Sequence, residues 1–346
     1  MRAVLGDYGF GKSHIVELTA REALDRNFLV AATSLDLLEL PPHRGLDIYA
    51  SLLRNLRYPN GDERGILPLL EAAADLPNVL QQMQAVAVTA DPLLLTLQAL
   101  AATSATRARQ AWTEWLLGGR KVESMNKTLP RGLKLPSLYK QGNNARQIAY
   151  LLNGVSVLAR LVGYSGICLL IDEAESYSLL TRNQQAKASL FFSTMIYSAL
   201  RDTQMHIHPD DLPQHHAREY PPVYGGKQSL FFLFTATRSD NRMPLEDWLD
   251  ADQILELDPH HTPQEIGQFL QQVMTYHAQA YGYEAGERQG QIRRAAAEHL
   301  ALGMRNNQLS IRGVVRMAVE LFDLLYLYPD YDVAVLLDEL RNLVRG

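Results

Sequence analysis

The stretch that most limits what this chain can fold into lies at residues 6–14, GDYGFGKSH. Gly6, Gly11, Lys12 and Ser13 fit the template G-x-x-x-x-G-K-[ST]. That template works only between a strand and a helix, and both flanks comply. Residues 2–5 (RAVL) read as the end of a buried strand. Residues 14–26 carry Ile15, Val16, Leu18, Ala23 and Leu24 at helical spacing. Glycines let such a loop bend until its backbone N–H groups converge on phosphate oxygens. The helix that follows turns its positive end toward them. Gly6, Asp7, Tyr8, Gly9, Phe10, Gly11, Lys12, Ser13 and His14 are therefore the expected phosphate-binding residues. Lys12 is expected to reach the β/γ-phosphates and Ser13 to ligate Mg²⁺.

A loop of this kind needs an acid on a neighbouring strand to help hold the metal. Residues 167–175 read ICLLIDEAE, a short unbroken apolar run of the sort found in parallel strands covered on both faces. Asp172 follows at its carboxyl end, where open α/β sheets bind ligands. Asp172 is the expected metal-holding carboxylate, acting through water, and Glu173 the group that orients the attacking water. Cys168, on the same run, reads as a small buried apolar residue. Residues 230–236 (LFFLFTA) form a further strand, ending at Thr237-Arg238. A polar side chain there would reach the terminal phosphate or the water; Thr237 is the first choice and Thr235 the reserve. Residues 28–33 (FLVAAT), with Ser34 and Asp36 at their end, and 254–257 (ILEL) supply two more strands.

The remaining features bound the class. A length of 346 residues with 47% apolar content suits one large or two modest domains. A formal charge of −5 argues against a globally basic nucleic-acid coat but leaves room for a local basic face. A single cysteine excludes an intrachain disulfide framework and suits a reducing cytoplasm. No apolar leader opens the sequence, and the run at 230–234 is too short to span a bilayer, so a cytoplasmic protein with no membrane contact is expected.

Between residues 46 and 142 lies a helical insertion, with helices expected at 46–56, 67–74, 79–86, 92–102 and 105–117. It ends in a basic segment, 119–142, holding Arg120, Lys121, Lys127, Arg131, Lys134 and Lys140 against one acid, Glu123. That segment reads either as a DNA-facing loop or as a solvated connection. A helix over 143–162 then leads into the acidic strand. Segment 205–220 gathers His206, His208, His215, His216, Asp210 and Asp211; its spacing matches no zinc pattern, and its prolines make it a surface loop. Thr262, Pro263 and Glu265 form a capping box with proline at the first helical position. Leu309-Ser310-Ile311-Arg312 opens a late helix over 313–327.

In this order the parts resemble the AAA+ superfamily, especially its origin-recognition and helicase-loader branch. More narrowly, GDYGFGKSH, the SLD at 34–36, EWLLGG at 114–119 and LLIDEAES at 169–176 resemble the P-loop ATPases of bacteriophage-exclusion (BREX) defence loci, the BrxD family. The resemblance implies an α/β fold: an AAA+-like P-loop NTPase with a parallel sheet flanked by helices, a large helical insertion and a C-terminal helical lid. The core would span 1–258, with the insertion at about 46–142, and the lid 259–346. It implies an enzyme that binds and hydrolyses ATP with Mg²⁺ held by Ser13 and Asp172, and with Glu173, Thr237 and Arg312 as catalytic residues. Arg312 would sense the γ-phosphate from the lid. Other phage-defence proteins, double-stranded DNA along 119–142 and further copies of the chain are the implied partners.

Two departures matter. The superfamily grips adenine with a helix and loop ahead of the first strand, whereas five residues precede Gly6; either the start is trimmed or adenine is recognised otherwise. Between Thr237 and Ile254 only Arg238 and Arg242 could serve as an arginine finger. That leaves, as the alternative, a nucleotide-gated scaffold with negligible turnover. Either way Lys12 carries the charge that meets the phosphates. Lys12→Ala is expected to weaken binding of a fluorescent ATP analogue by several-fold or more. Unchanged affinity would refute the phosphate-loop assignment.

Overall fold

The computed structural model describes the chain except for residues 121–124, 126–134, 136–137, 139–144, 201–219, 239–242, 258–260, 285, 307–308, 333, 336–337 and 339–346. Among the described residues, six stretches of extended chain build the sheet: β1 (Arg2–Leu5), β2 (Phe28–Ser34), β3 (Leu56–Arg57), β4 (Gly166–Asp172), β5 (Leu230–Ala236) and β6 (Ile254–Glu256). Their order across the sheet is β3-β2-β4-β5-β1-β6. β1, β5, β4 and β2 pair in parallel, while β3 runs antiparallel to β2. Parallel neighbours need crossover connections, and these carry helices onto the sheet faces. The result is an α/β fold with a mostly parallel sheet flanked by helices.

The register levels the carboxyl ends of the strands. Ser34 stands opposite Asp172, Ile171 opposite Phe234, and Leu5 opposite Ala236. One expectation fails at the sheet edge. The helix expected over 46–56 ends at Arg54, and Leu56 and Arg57 instead pair with Ala31 and Val30. A two-residue edge strand occupies hydrogen-bonding groups of β2 that a helix could not reach.

The helices are α1 (Lys12–Asp25), α2 (Gly45–Arg54), α3 (Leu67–Ala74), α4 (Pro77–Val86), α5 (Pro92–Ala101), α6 (Thr106–Leu116), α7 (Ala145–Val162), α8 (Arg182–Leu200), α9 (Pro263–Tyr281), α10 (Glu287–Arg305) and α11 (Ile311–Leu327). Chain contacts divide the molecule into two units. One comprises Met1–Leu5 and Ser13–Leu255, the other Gly6–Lys12 and Glu256–Gly346.

Within the first unit the inserted helices share the core of the sheet. Tyr49, Leu53, Leu69, Met83, Leu97 and Trp112 belong to one apolar cluster with Leu29 and Ile167. Residues 145–159 of α7 are all buried, as befits a helix covered on every side. Burying so much helix also buries polar groups, and these are paired. Asp91, only 1% exposed, caps α5 by accepting from Leu94 N–H at 3.0 Å and also accepts from the Tyr150 hydroxyl at 2.5 Å. That hydroxyl accepts in turn from Val88 N–H at 3.0 Å. Burial pushes the Asp91 carboxyl above its ordinary range, and the hydrogen bonds oppose the shift.

The second unit has a separate core from α9, α10 and α11, built on Ile266, Leu270, Ile292, Leu300, Val314 and Phe322. Its first helix starts as its sequence requires. Thr262 Oγ1 accepts from Glu265 N–H at 3.2 Å, and Glu265 accepts from Thr262 N–H at 2.8 Å. That Thr262 N–H, and next the Thr262 hydroxyl donating to the same carboxylate oxygen at 3.0 Å, hold the Glu265 carboxyl below its ordinary value. Buried His277 of α9 lies 2.9 Å from Asp323 of α11 and 2.8 Å from the Tyr283 hydroxyl.

Two outcomes follow from these networks. Trp112, Trp115 and Trp248 all lie in the first unit, so tryptophan fluorescence follows its unfolding. Tyr150→Phe is expected to lower that unit's stability by about 1–3 kcal/mol at neutral pH. Losing the hydroxyl raises the Asp91 carboxyl further, and a raised carboxyl destabilises the fold only where it must ionise. The deficit should therefore shrink as pH falls through the raised range, and a pH-independent deficit would contradict the pairing. In the second unit, Thr262→Ala should move the Glu265 carboxyl titration upward toward 4.5 by NMR.

Candidate functional site

The glycine loop leaves β1 immediately after Leu5, which pairs with Ala236 of β5. Gly9 and Gly11 have φ of +84° and +89°, left-handed values that side chains disfavour. A Cβ added at Gly11 would meet nothing within 4 Å, so backbone is left open there. At Gly9 it would stand 2.4 Å from Ser310 Cβ, and at Gly6 3.1 Å from Leu257 Cβ. Phe10 N–H donates to the Asp7 carbonyl at 3.2 Å and tightens the turn. Lys12 opens α1 and is buried; its Nζ donates to the Gly6 carbonyl at 2.8 Å and to that of Asp7 at 3.4 Å. The loop thus curls around its own ammonium. Ser13 and His14 lie exposed on the first turn of α1.

Tyr8, at the loop's tip, is 72% exposed and meets Arg312. The Arg312 guanidinium carbon stands 4.9 Å from the centroid of the Tyr8 ring, and Nη1 donates to the Tyr8 hydroxyl. Arg312 sits in the first turn of α11, which begins two residues before the start expected from sequence. Ser310 caps it, its Oγ accepting from Gly313 N–H at 3.2 Å.

At the carboxyl end of β4 a second cluster forms. Asp172 Oδ1 accepts from the Thr235 hydroxyl and, at 3.0 Å, from Glu173 N–H. The same N–H also reaches Thr235 Oγ1 at 3.2 Å. Glu173 adopts φ +59° and ψ 37°, a left-handed conformation that costs a non-glycine residue about 1–2 kcal/mol. These bonds to its N–H help to stabilise it. The turn carries its side chain to Ser34, whose hydroxyl donates to Glu173 Oε2 at 3.2 Å.

Asp172, Glu173, Thr235 and Ser34 are therefore brought together. Thr237 is not among them: its hydroxyl donates to Glu175 at 2.8 Å. The reserve threonine, fully buried, is the one on Asp172. Strand parity would put both threonines on one face; what separates them is that β5 ends at Ala236, so Thr235 is held in the sheet and Thr237 lies past its end. Ser34 was visible as the polar end of its strand, but nothing in the sequence paired it with Glu173.

Other expected residues fall elsewhere. Arg120 and Arg238 are exposed. Lys121, Glu123, Lys127, Arg131, Lys134 and Lys140, the histidines and aspartates of 205–219, and Arg242 lie outside the described residues. Cys168 is buried, and burial pushes its thiol up to about 12. It lines an apolar cavity of about 490 Å³ with Leu18, Phe28 and Phe231. That cavity sits by the amino-terminal halves of β2 and β5, so it is no part of the carboxyl edge. Among the described residues no helix is long and apolar enough to cross a membrane.

No curated protein matches the chain. Residues 1–72, which contain the glycine loop, α1, β2, α2 and β3, match the family described as BREX system ATP-binding protein BrxC/D. Over that stretch the chain is similar to those proteins, and the resemblance drawn from GDYGFGKSH and Ser34-Leu35-Asp36 is borne out.

Proposed function

We propose that this chain binds ATP and hydrolyses it as an AAA+-type P-loop ATPase of a BREX-type phage-defence assembly, with 1–258 as its core and 259–346 as its lid. One observation carries the reading: a glycine loop with two left-handed glycines, curled around a buried lysine, leaves a strand in register with the sheet's acidic edge. The sheet order, with β5 between the loop-bearing β1 and the acid-bearing β4, supports it. So does the family match over residues 1–72.

The donor set suits a nucleotide and a divalent cation. The backbone at Gly11 faces open space, and its left-handed φ suits a loop whose amides must approach a phosphate closely. Loop amides and Lys12 would take the phosphate oxygens. The exposed Ser13 hydroxyl and the Asp172 carboxylate would hold Mg²⁺, a hard cation that prefers oxygen ligands. When bound, that ion neutralises charge developing on the phosphates. Thr235 fixes the Asp172 carboxylate, and Ser34 steers Glu173. Glu173 would orient a water and accept its proton. An O–P bond then forms to the γ-phosphorus as the bond to the bridging oxygen breaks, giving ADP and phosphate. Thr237 would act beside it from the end of β5, and Arg312 would contact the γ-phosphate. Nucleotide state would gate contacts with other defence proteins, with duplex DNA along 119–142, or with further copies of the chain.

The test is ATP turnover with and without duplex DNA. Glu173→Gln keeps the shape and the bond from Ser34 but loses the base. It is expected to retain ATP binding and to turn over about tenfold more slowly, or slower still. Turnover at the parent rate would remove Glu173 from the chemistry. ATP binding with no turnover in the parent, DNA included, would establish the nucleotide-gated scaffold instead.

A further inference from the structure

Tyr8 and Arg312 lie 304 positions apart in sequence, yet each is the other's partner. Both belong to the second unit. The contact has two components: the guanidinium over the ring, and a hydrogen bond to the phenol oxygen. A neighbouring constraint sets the same register independently. Gly9 leaves no room for a side chain against Ser310, the cap of the helix turn that carries Arg312. The loop and the first turn of α11 are therefore matched residue by residue: Gly9 on Ser310 and Tyr8 on Arg312.

An exposed arginine samples many rotamers, and its charge is useful only when the planar head is aimed. A guanidinium carries five N–H donors. One donates to the Tyr8 hydroxyl and the guanidinium carbon lies over the ring, so two contacts with one side chain restrict where the head can go. We propose that Tyr8 is the positioning residue for Arg312, aiming its guanidinium at the terminal phosphate of a nucleoside triphosphate and so setting the preference for ATP over ADP. The proposal rests on the ATP-binding reading above and adds to it a residue that acts through the arginine rather than on the phosphate.

Five proteins test it: the parent, Tyr8→Ala, Arg312→Ala, the double variant, and Tyr8→Phe as the conservative change. The readout is the ratio of ADP to ATP dissociation constants, measured by titration with magnesium present. Arg312→Ala should collapse the ratio. Tyr8→Ala should lower it about two- to fivefold, the worth of an exposed cation–π contact. Because Tyr8 is also a loop residue, the ratio to ADP separates a loss of aim at the terminal phosphate from any general weakening of the loop. Tyr8→Phe should keep more of the ratio than Tyr8→Ala, since the ring remains. Tyr8→Ala should change nothing further in the Arg312→Ala background.

If Tyr8→Ala keeps the parent's ratio while Arg312→Ala loses it, the positioning role is wrong and the sensor reading survives. An equal loss with and without Arg312 would show that Tyr8 touches the nucleotide itself, and would also overturn it. If Arg312→Ala keeps the parent's ratio, the sensor reading falls and takes this proposal with it.

Discussion

The parallel pairing of β2, β4, β5 and β1 is the constraint from which the rest of the site follows. It brings Ser34 level with Asp172 and Leu5 level with Ala236, so that each strand delivers its chain to the same edge. Buried on both faces, these strands must satisfy their polar groups through the ladder, and that leaves little freedom to slip. A one-residue shift of β5 would turn Thr235 to the opposite face and break its bond to Asp172. The left-handed turn at Glu173 would then lose one of the two acceptors that hold its N–H. Strain at such a position persists only while its surroundings over-determine it.

The inserted helices bear on this edge through the shared core. Because Tyr49, Leu97 and Trp112 pack in one cluster with strand residues, the insertion is part of what keeps β2 and β4 in place. The buried triad of Asp91, Tyr150 and Val88 ties α5, α7 and the end of α4's loop together. A buried carboxyl with these hydrogen bonds favours one arrangement of those helices, because any other leaves buried polar atoms without partners. In the second unit, by contrast, α9, α10 and α11 carry their own apolar core, and the glycine loop belongs to that unit. A loop that packs on the first turn of a late helix gives the proposed γ-phosphate contact a direct physical route.

Much of this was legible from local chemistry. The strands read as apolar runs, the glycines as positions needing positive φ, and Thr262 with Glu265 as a capping box; each follows from a few neighbouring residues. The match over residues 1–72 covers the loop and the Ser34-Leu35-Asp36 stretch on which the resemblance was built. What local chemistry could not supply was partnership. Thr235 and Thr237 have the same side chain two residues apart, and only the pairing of β5 with β4 puts the first on Asp172 and leaves the second on Glu175. The helical pattern over 46–56 ran through Leu56 because period alone cannot see an adjacent strand edge waiting to be paired.

By itself, then, the sequence determined the kinds of element, the conformations its glycines must take and the caps that start its helices, because propensity, turn chemistry and capping act over a few bonds. The tertiary structure alone decided the strand order, the edge pairing of β3, the hold of Ser34 on Glu173 and the meeting of Tyr8 with Arg312. Each of those joins residues far apart in sequence, and such contacts form only when the whole chain has spent its conformational entropy on one packed arrangement.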